Sequence, residues 1–135
     1  KADKLAVNVH SCVNASSQYA ALEALNGPQE CVKIMNNTFK RRANMMYTML
    51  NEINLLQCQK PQGAFYCFPN ITDLKISSFN LQNELLEKIG VATVAGTSFG
   101  KYGEGFLRLS CANSDSLIEE AINRISKYVN NHLKN

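Results

Sequence analysis

The stretch Val91-Ala-Thr-Val-Ala95-Gly96-Thr-Ser-Phe-Gly100-Lys-Tyr-Gly103-Glu-Gly105-Phe106-Leu-Arg-Leu-Ser110 decides how this chain is read. Two short runs of β-branched, aromatic and leucine residues are separated by ten residues that hold four of the chain's seven glycines. Such runs, bounded by glycine, read as strands, so the stretch is strand, loop, strand. The loop invites comparison with a phosphate cradle. That motif needs four residues between its glycines and a hydroxyl after the lysine to hold magnesium. Here three residues separate Gly96 from Gly100, and Tyr102 follows Lys101. The loop also enters a strand, so no helix dipole would face a phosphate. The phosphate reading fails. What remains is a loop needing several permissive backbone angles, or one that closes over a ligand.

The second run carries the principal candidate residue. Strand alternation sends Leu107, Leu109 and Cys111 to one face and Phe106, Arg108 and Ser110 to the other. With helices over the leucine face, Arg108 projects from the opposite face beside an aromatic ring. A guanidinium left unpaired in such a place is costly, and its planar fork matches a carboxylate bidentately. The chain has 11 acidic residues, none an obvious strand neighbour of Arg108. On spacing alone two partners stay open: a structural acid, which is the commoner case, and the carboxylate of a ligand or another domain.

Upstream, Val32, Met35, Phe39, Ala43, Met46, Leu50 and Ile53 step by three or four and predict one helix of about six turns. A shorter helix is expected through Tyr19–Leu25, capped by Ser16 or Ser17. Gly27 suits its left-handed end, and Pro28 the first turn of the next helix. Residues 1–13 show no clear period and read as a lead-in. Between the long helix and the glycine loop, Leu55–Cys58 and Ala64–Phe68 read as strands, the second a buried run bounded by Gly63 and Pro69. Ser77 or Ser78 caps a helix over Phe79–Lys88 that ends at Gly90. A last helix starts at Ser114 and puts Leu117, Ile118, Ala121, Ile122, Ile125 and Val129 on one face. The fold class is α+β, a long helix followed by a small mixed sheet covered by helices.

Composition narrows the function. At 135 residues, 45% hydrophobic and 19% charged, the chain is a globular domain with no room for a second full core. A net charge of +3 argues for neither nucleic acid nor an acidic membrane. The only basic run, Lys40-Arg41-Arg42, splays around a helix without aromatic interleaving and reads as a solvated face with one or two ion pairs. No apolar run is long enough for a membrane span. Five cysteines without C-x-x-C spacing, beside two histidines, exclude a metal site and read as reduced packing thiols in a cytoplasmic protein. The sequons at Asn14, Asn36 and Asn70 read as chance matches. No nucleophile, acid–base pair or other catalytic group stands out. The first residue is Lys1, not Met, which suggests a piece of a longer protein.

Taken in order, the residues resemble a known family. Gln18-x-Ala20-x-Leu22-x-Ala24-Leu25-x-Gly27, Arg41-Arg42 and Pro61-x-Gly63-Ala64-Phe65-Tyr66-x-Phe68 are similar to the C-terminal third of class I aminotransferases. So are Leu85-Leu86-x-x-x-Gly90-Val91-Ala92-x-Val94-x-Gly96-x-x-Phe99-Gly100 and Gly105-Phe106-Leu107-Arg108-Leu109-Ser110. The resemblance is nearest to bacterial-type aspartate aminotransferases. It implies the small domain of a fold type I enzyme that uses pyridoxal 5′-phosphate to move an amino group between an amino acid and a 2-oxo acid. Arg108 matches the family's arginine for the substrate α-carboxylate, and Phe65 matches a residue lining the substrate pocket. Residues 1–27 would be the tail of a large domain and 28–135 the small domain, including the interdomain helix. The Schiff-base lysine and the other cofactor ligands would lie upstream, so no cofactor-binding residue and no bound cofactor are expected in this segment, which would be inactive alone. The parent would be a homodimer. Specificity for alanine, aromatic amino acids or kynurenine stays open, as does a cofactor-free carboxylate-binding module.

Overall fold

The computed structural model describes residues 1–132, and the side chain of His132 lies outside the description. The chain divides into two compact units, Lys1–Met35 and one beginning at Asn36. The division falls inside a helix. The first turns of that helix bury no side chain, whereas its second half does.

The first unit holds α1 (Ala2–His10), α2 (Ala15–Asn26) and the start of α3 (Glu30–Asn51). The lead-in is thus helical. The signal was hidden because Leu5, Val7 and Val9 recur every second residue, a strand period, and no residue of α1 is buried to impose a helical one. The cap of α2 is Asn14, not a serine: its side chain accepts a hydrogen bond from the Ser17 N–H at 2.8 Å. Gly27 is extended (φ −76°) rather than left-handed. It is glycine for space, since a Cβ there would stand 2.6 Å from the carbonyl oxygen of Glu23. Pro28 precedes the first turn of α3 instead of lying in it.

In the second unit the predicted stripe of α3 becomes core, with Ala43, Met46 and Leu50 buried and Ile53 just beyond the helix. The sheet is small: β1 (Tyr66–Cys67), β2 (Val94–Ala95) and β3 (Leu107–Ser110) in the order β1-β3-β2. Both pairings are antiparallel rather than mixed; between β2 and β3 the glycine loop turns the chain back beside the strand it has just left. Register sets Cys67 opposite Leu109 and Ala95 opposite Leu107, which gathers four buried side chains on one face. Over that face lie α4 (Ser78–Ile89), with Leu81 and Leu85, and α5 (Asp115–His132), with Ile118, Ile122, Ile125 and Val129. Leu117, expected on the same stripe, is half exposed.

The strands are shorter than their sequence runs. Ala64–Phe68 pairs only at Tyr66–Cys67, and of the five residues Cys67 alone is buried. Leu55–Cys58 shrinks to one bridge between Gln57 and Asn70. Positive φ at Leu55 (70°) and Ala64 (56°) bends the chain out of extension at the start of each run. The cap of α4 follows expectation: Ser77 Oγ accepts from the Asn80 N–H, and Gly90 closes the helix in the left-handed region (φ 67°).

The basic run of α3 does carry ion pairs. Arg41 and Arg42 both bind the carboxylate of Asp115, in the first turn of α5. Hydrogen bonds first from Arg41 and then from Arg42 hold that carboxyl down at about 2. Because the folded value is depressed, the stabilisation is present above the ordinary carboxylate range and drains away as pH falls through about 2. A titration of the Asp115 carboxyl carbon by NMR is expected to give a midpoint near 2, moving up toward 3.8 in Arg41→Gln/Arg42→Gln. An unchanged midpoint in the double variant would refute the pairing.

Candidate functional site

The sheet face away from the helices carries the predicted residue. Arg108 occupies β3, the central strand, and Leu107, Leu109 and Cys111 point into the core as alternation required. Arg108 itself is half buried. Tyr66, from β1 on one side, sets its ring centroid 4.4 Å from the guanidinium carbon. Phe99 follows β2 on the other side, with its centroid at 4.5 Å. Contacts of this kind contribute roughly 0.5–2 kcal/mol each, depending on desolvation.

Further rings brace these two. Phe68 stacks on Phe106 at 5.2 Å with planes 9° apart, and meets Phe99 edge-on at 6.2 Å. Phe65 packs against Phe39 at 5.7 Å and Tyr66 at 4.5 Å. The two residues singled out from sequence are therefore brought into one aromatic cluster, with Phe65 linked to Arg108 through Tyr66. Among the described residues no hydrogen bond or ion pair engages the Arg108 guanidinium, so the structural acid left open on spacing is not there. A guanidinium has five donors and no acceptor. Rings satisfy its faces and leave those donors unspent.

The glycine loop positions Phe99 by two distinct means. Gly100 (φ 119°) and Gly105 (φ 82°) take backbone angles that disfavour any side chain, as expected. Gly96 and Gly103 are there for space: a Cβ on either would lie 1.9 Å from the carbonyl oxygen of the other. The loop is then tied to α4. The Glu104 carboxylate accepts from the Ser78 N–H at 2.8 Å and from the Ser78 hydroxyl at 2.9 Å. Those bonds, the backbone one foremost, hold Glu104 below the usual carboxylate range. Tyr66, Phe99 and Glu104 were not singled out as site residues in the sequence, where nothing but strand neighbourhood could have marked Tyr66 for the site.

Elsewhere the chain offers less. A cleft of about 350 Å³ is lined by Met46, Val91, Ser110, Asn113 and Arg124 among others. Its Arg124 is spent on the Ile89 carbonyl at 3.0 Å and on Glu120. The buried thiols of Cys67 and Cys111 are pushed up, the first by hydrogen bonding with Cys58 ahead of burial, the second by burial. Both stay protonated as packing groups; Cys12 and Cys31 are exposed. Among the described residues no cluster of His, Cys, Asp or Glu could hold a metal ion, and no helix is long and apolar enough to cross a membrane.

Fold and site together define an α+β domain whose open sheet face presents an uncommitted arginine inside an aromatic wall. The chain belongs to the class I and II aminotransferases, whose family model matches residues 2–125. It is 43% identical over 130 residues to an aspartate aminotransferase of Bacillus subtilis, covering 91% of this chain and 33% of that protein. An aromatic-amino-acid aminotransferase of Thermococcus litoralis is 37% identical over 119 residues, covering 87% of this chain and 30% of its own length. The crystal structure of an aromatic aminotransferase from Pyrococcus horikoshii superposes with a TM-score of 0.88 at 35% identity, covering 94% of this chain and 34% of that one. This chain thus spans about a third of the length of the curated relatives it matches.

Proposed function

We propose that this chain is the C-terminal part of a pyridoxal 5′-phosphate-dependent aminotransferase of aspartate type, and that Arg108 binds the substrate α-carboxylate. The observation that carries the reading is the uncommitted, half-buried Arg108 guanidinium, at the position that matches the family's carboxylate-binding arginine. Its fork can donate to both carboxylate oxygens, which fixes the amino acid in orientation as well as in place. Phe65 would line the same pocket.

The described residues do not form a site for the cofactor. A lysine that condenses with an aldehyde must be desolvated or set beside another cation to be nucleophilic. The nine lysines within the described residues are all exposed, and Lys33 and Lys88 are paired with Glu30 and Glu84. The cofactor, which supplies the electron sink of amino-group transfer, would be held by the remainder of the protein. Residues 1–27 would belong to the larger, cofactor-bearing domain and 28–135 to the small domain. Movement of the small domain would carry Arg108 onto the bound substrate and shut out water. The parent would be a cytoplasmic homodimer.

The test uses the full-length polypeptide that contains this segment, supplied with pyridoxal phosphate, L-aspartate and 2-oxoglutarate. Formation of glutamate and oxaloacetate is the expected result. Turnover of alanine, an aromatic amino acid or kynurenine in place of aspartate would keep the aminotransferase and reassign the substrate. Absence of transfer from every amino acid would overturn the reading.

A further inference from the structure

We infer that Tyr66 and Phe99 are positioning residues that hold the Arg108 guanidinium ready for a carboxylate; the inference rests on the proposed role of Arg108. Their geometry carries it. The strand order β1-β3-β2 puts one ring on each side of the central strand, 4.4 and 4.5 Å from the guanidinium carbon. An arginine on an open sheet face would ordinarily sample many rotamers, and ordering it would be charged against substrate binding. Two rings against its faces remove that freedom beforehand.

The arrangement also conserves the donors. The N–H groups of a guanidinium lie in its plane, while ring contacts use its faces. An acidic residue in place of either ring would have consumed the fork that a ligand needs. The rings further keep water from the faces, which strengthens a charge-assisted bond made at the edge.

The two rings are themselves held by separate parts of the chain. Tyr66 is fixed by its pairing with Ser110 and its contact with Phe65. Phe99 is fixed by Phe68 and by a loop closed through the Gly96–Gly103 contact and pinned by Glu104 to Ser78. A shift in the loop would therefore reach Arg108 through Phe99.

The experiment uses the full-length, cofactor-loaded protein and the amino acid it turns over fastest. Tyr66→Leu and Phe99→Leu remove one ring each, and Tyr66→Phe and Phe99→Tyr retain one. Cofactor content and thermal midpoint are measured alongside as a check on folding. Each leucine variant is expected to raise KM about three- to tenfold with kcat changed less than about twofold. Most of the loss is expected to be restored by the variants that keep a ring. Leucine variants with unaltered KM, or ring-retaining variants as impaired as the leucine ones, would overturn the inference. Arg108→Lys in the same series separates the two levels: impairment there with unaffected leucine variants defeats the role of the rings alone, and no impairment in any variant defeats the role of Arg108 as well.

Discussion

Lysine in place of Arg108, in the full-length protein, is expected to lower kcat/KM for the amino acid about a hundredfold. The charge survives the substitution but the fork does not. An ammonium is a compact point donor that cannot bond both carboxylate oxygens in one plane. Truncating one partner of a desolvated, hydrogen-bonded charge pair costs about 2–5 kcal/mol; a substitution that keeps the charge falls toward the lower half of that range. Arg108→Met removes the charge too and is expected to cost more. Because the α-carboxylate belongs to every amino acid and to every 2-oxo acid product, the loss should be similar for both half-reactions and for all side chains. Steady-state kinetics with two amino acids and two 2-oxo acids checks this. Unchanged kinetics, or a loss confined to one side chain, would remove Arg108 from the carboxylate site.

The largest effect on folding is expected from alanine at Gly96 or Gly103. Each Cβ would sit 1.9 Å from a main-chain carbonyl oxygen, and neither partner is a flexible side chain that could swing away. Backbone on both sides must move, and the Gly96 N–H bond to the Phe106 carbonyl (2.8 Å) would be strained with it. Overpacking a tight site costs about 1–3 kcal/mol where side chains can adjust. Here about 3 kcal/mol or more is expected, a fall of about 12–24 °C in midpoint for a unit of this size. Gly63→Ala is the control, since its Cβ meets nothing within 4 Å and its φ is not in the left-handed region. Thermal unfolding followed by circular dichroism distinguishes them. A Gly96→Ala protein as stable as Gly63→Ala would mean that the two ends of the glycine loop do not approach as described.

These effects meet at one place, since the glycine contact shapes the loop that delivers Phe99 to Arg108. A substitution at Gly103 mild enough to permit folding is therefore expected to impair carboxylate binding as well.

Much of this was legible from residues alone. Period-two alternation along Phe106–Ser110 is a property of the strand, so the face of Arg108 followed without any knowledge of its surroundings. The stripe of α3 and the Ser77 and Gly90 ends of α4 are equally local, each set within a turn or two of chain. Joint order and spacing of short motifs brought out the family resemblance, since each motif alone is short enough to occur by chance. The failures were local in a different way. At α1 and at Gly27 the residue pattern was ambiguous, and at Ala64 and Leu55 a positive φ fell where no glycine announced it.

Only the tertiary structure decided what surrounds Arg108. The Asp115 pairs join residues 73 and 74 apart, and Glu104 reaches Ser78 across 26. Loop paths, not periodicity, choose such partners. Gly96 and Gly103 read as two flexible positions until each was seen to lie against the carbonyl of the other. The sequence by itself determined that an arginine stands on an apolar strand, facing away from the core. That it meets two rings and, among the described residues, no acid was settled by the order β1-β3-β2, which brings to its flanks residues that no spacing along the chain could have paired with it.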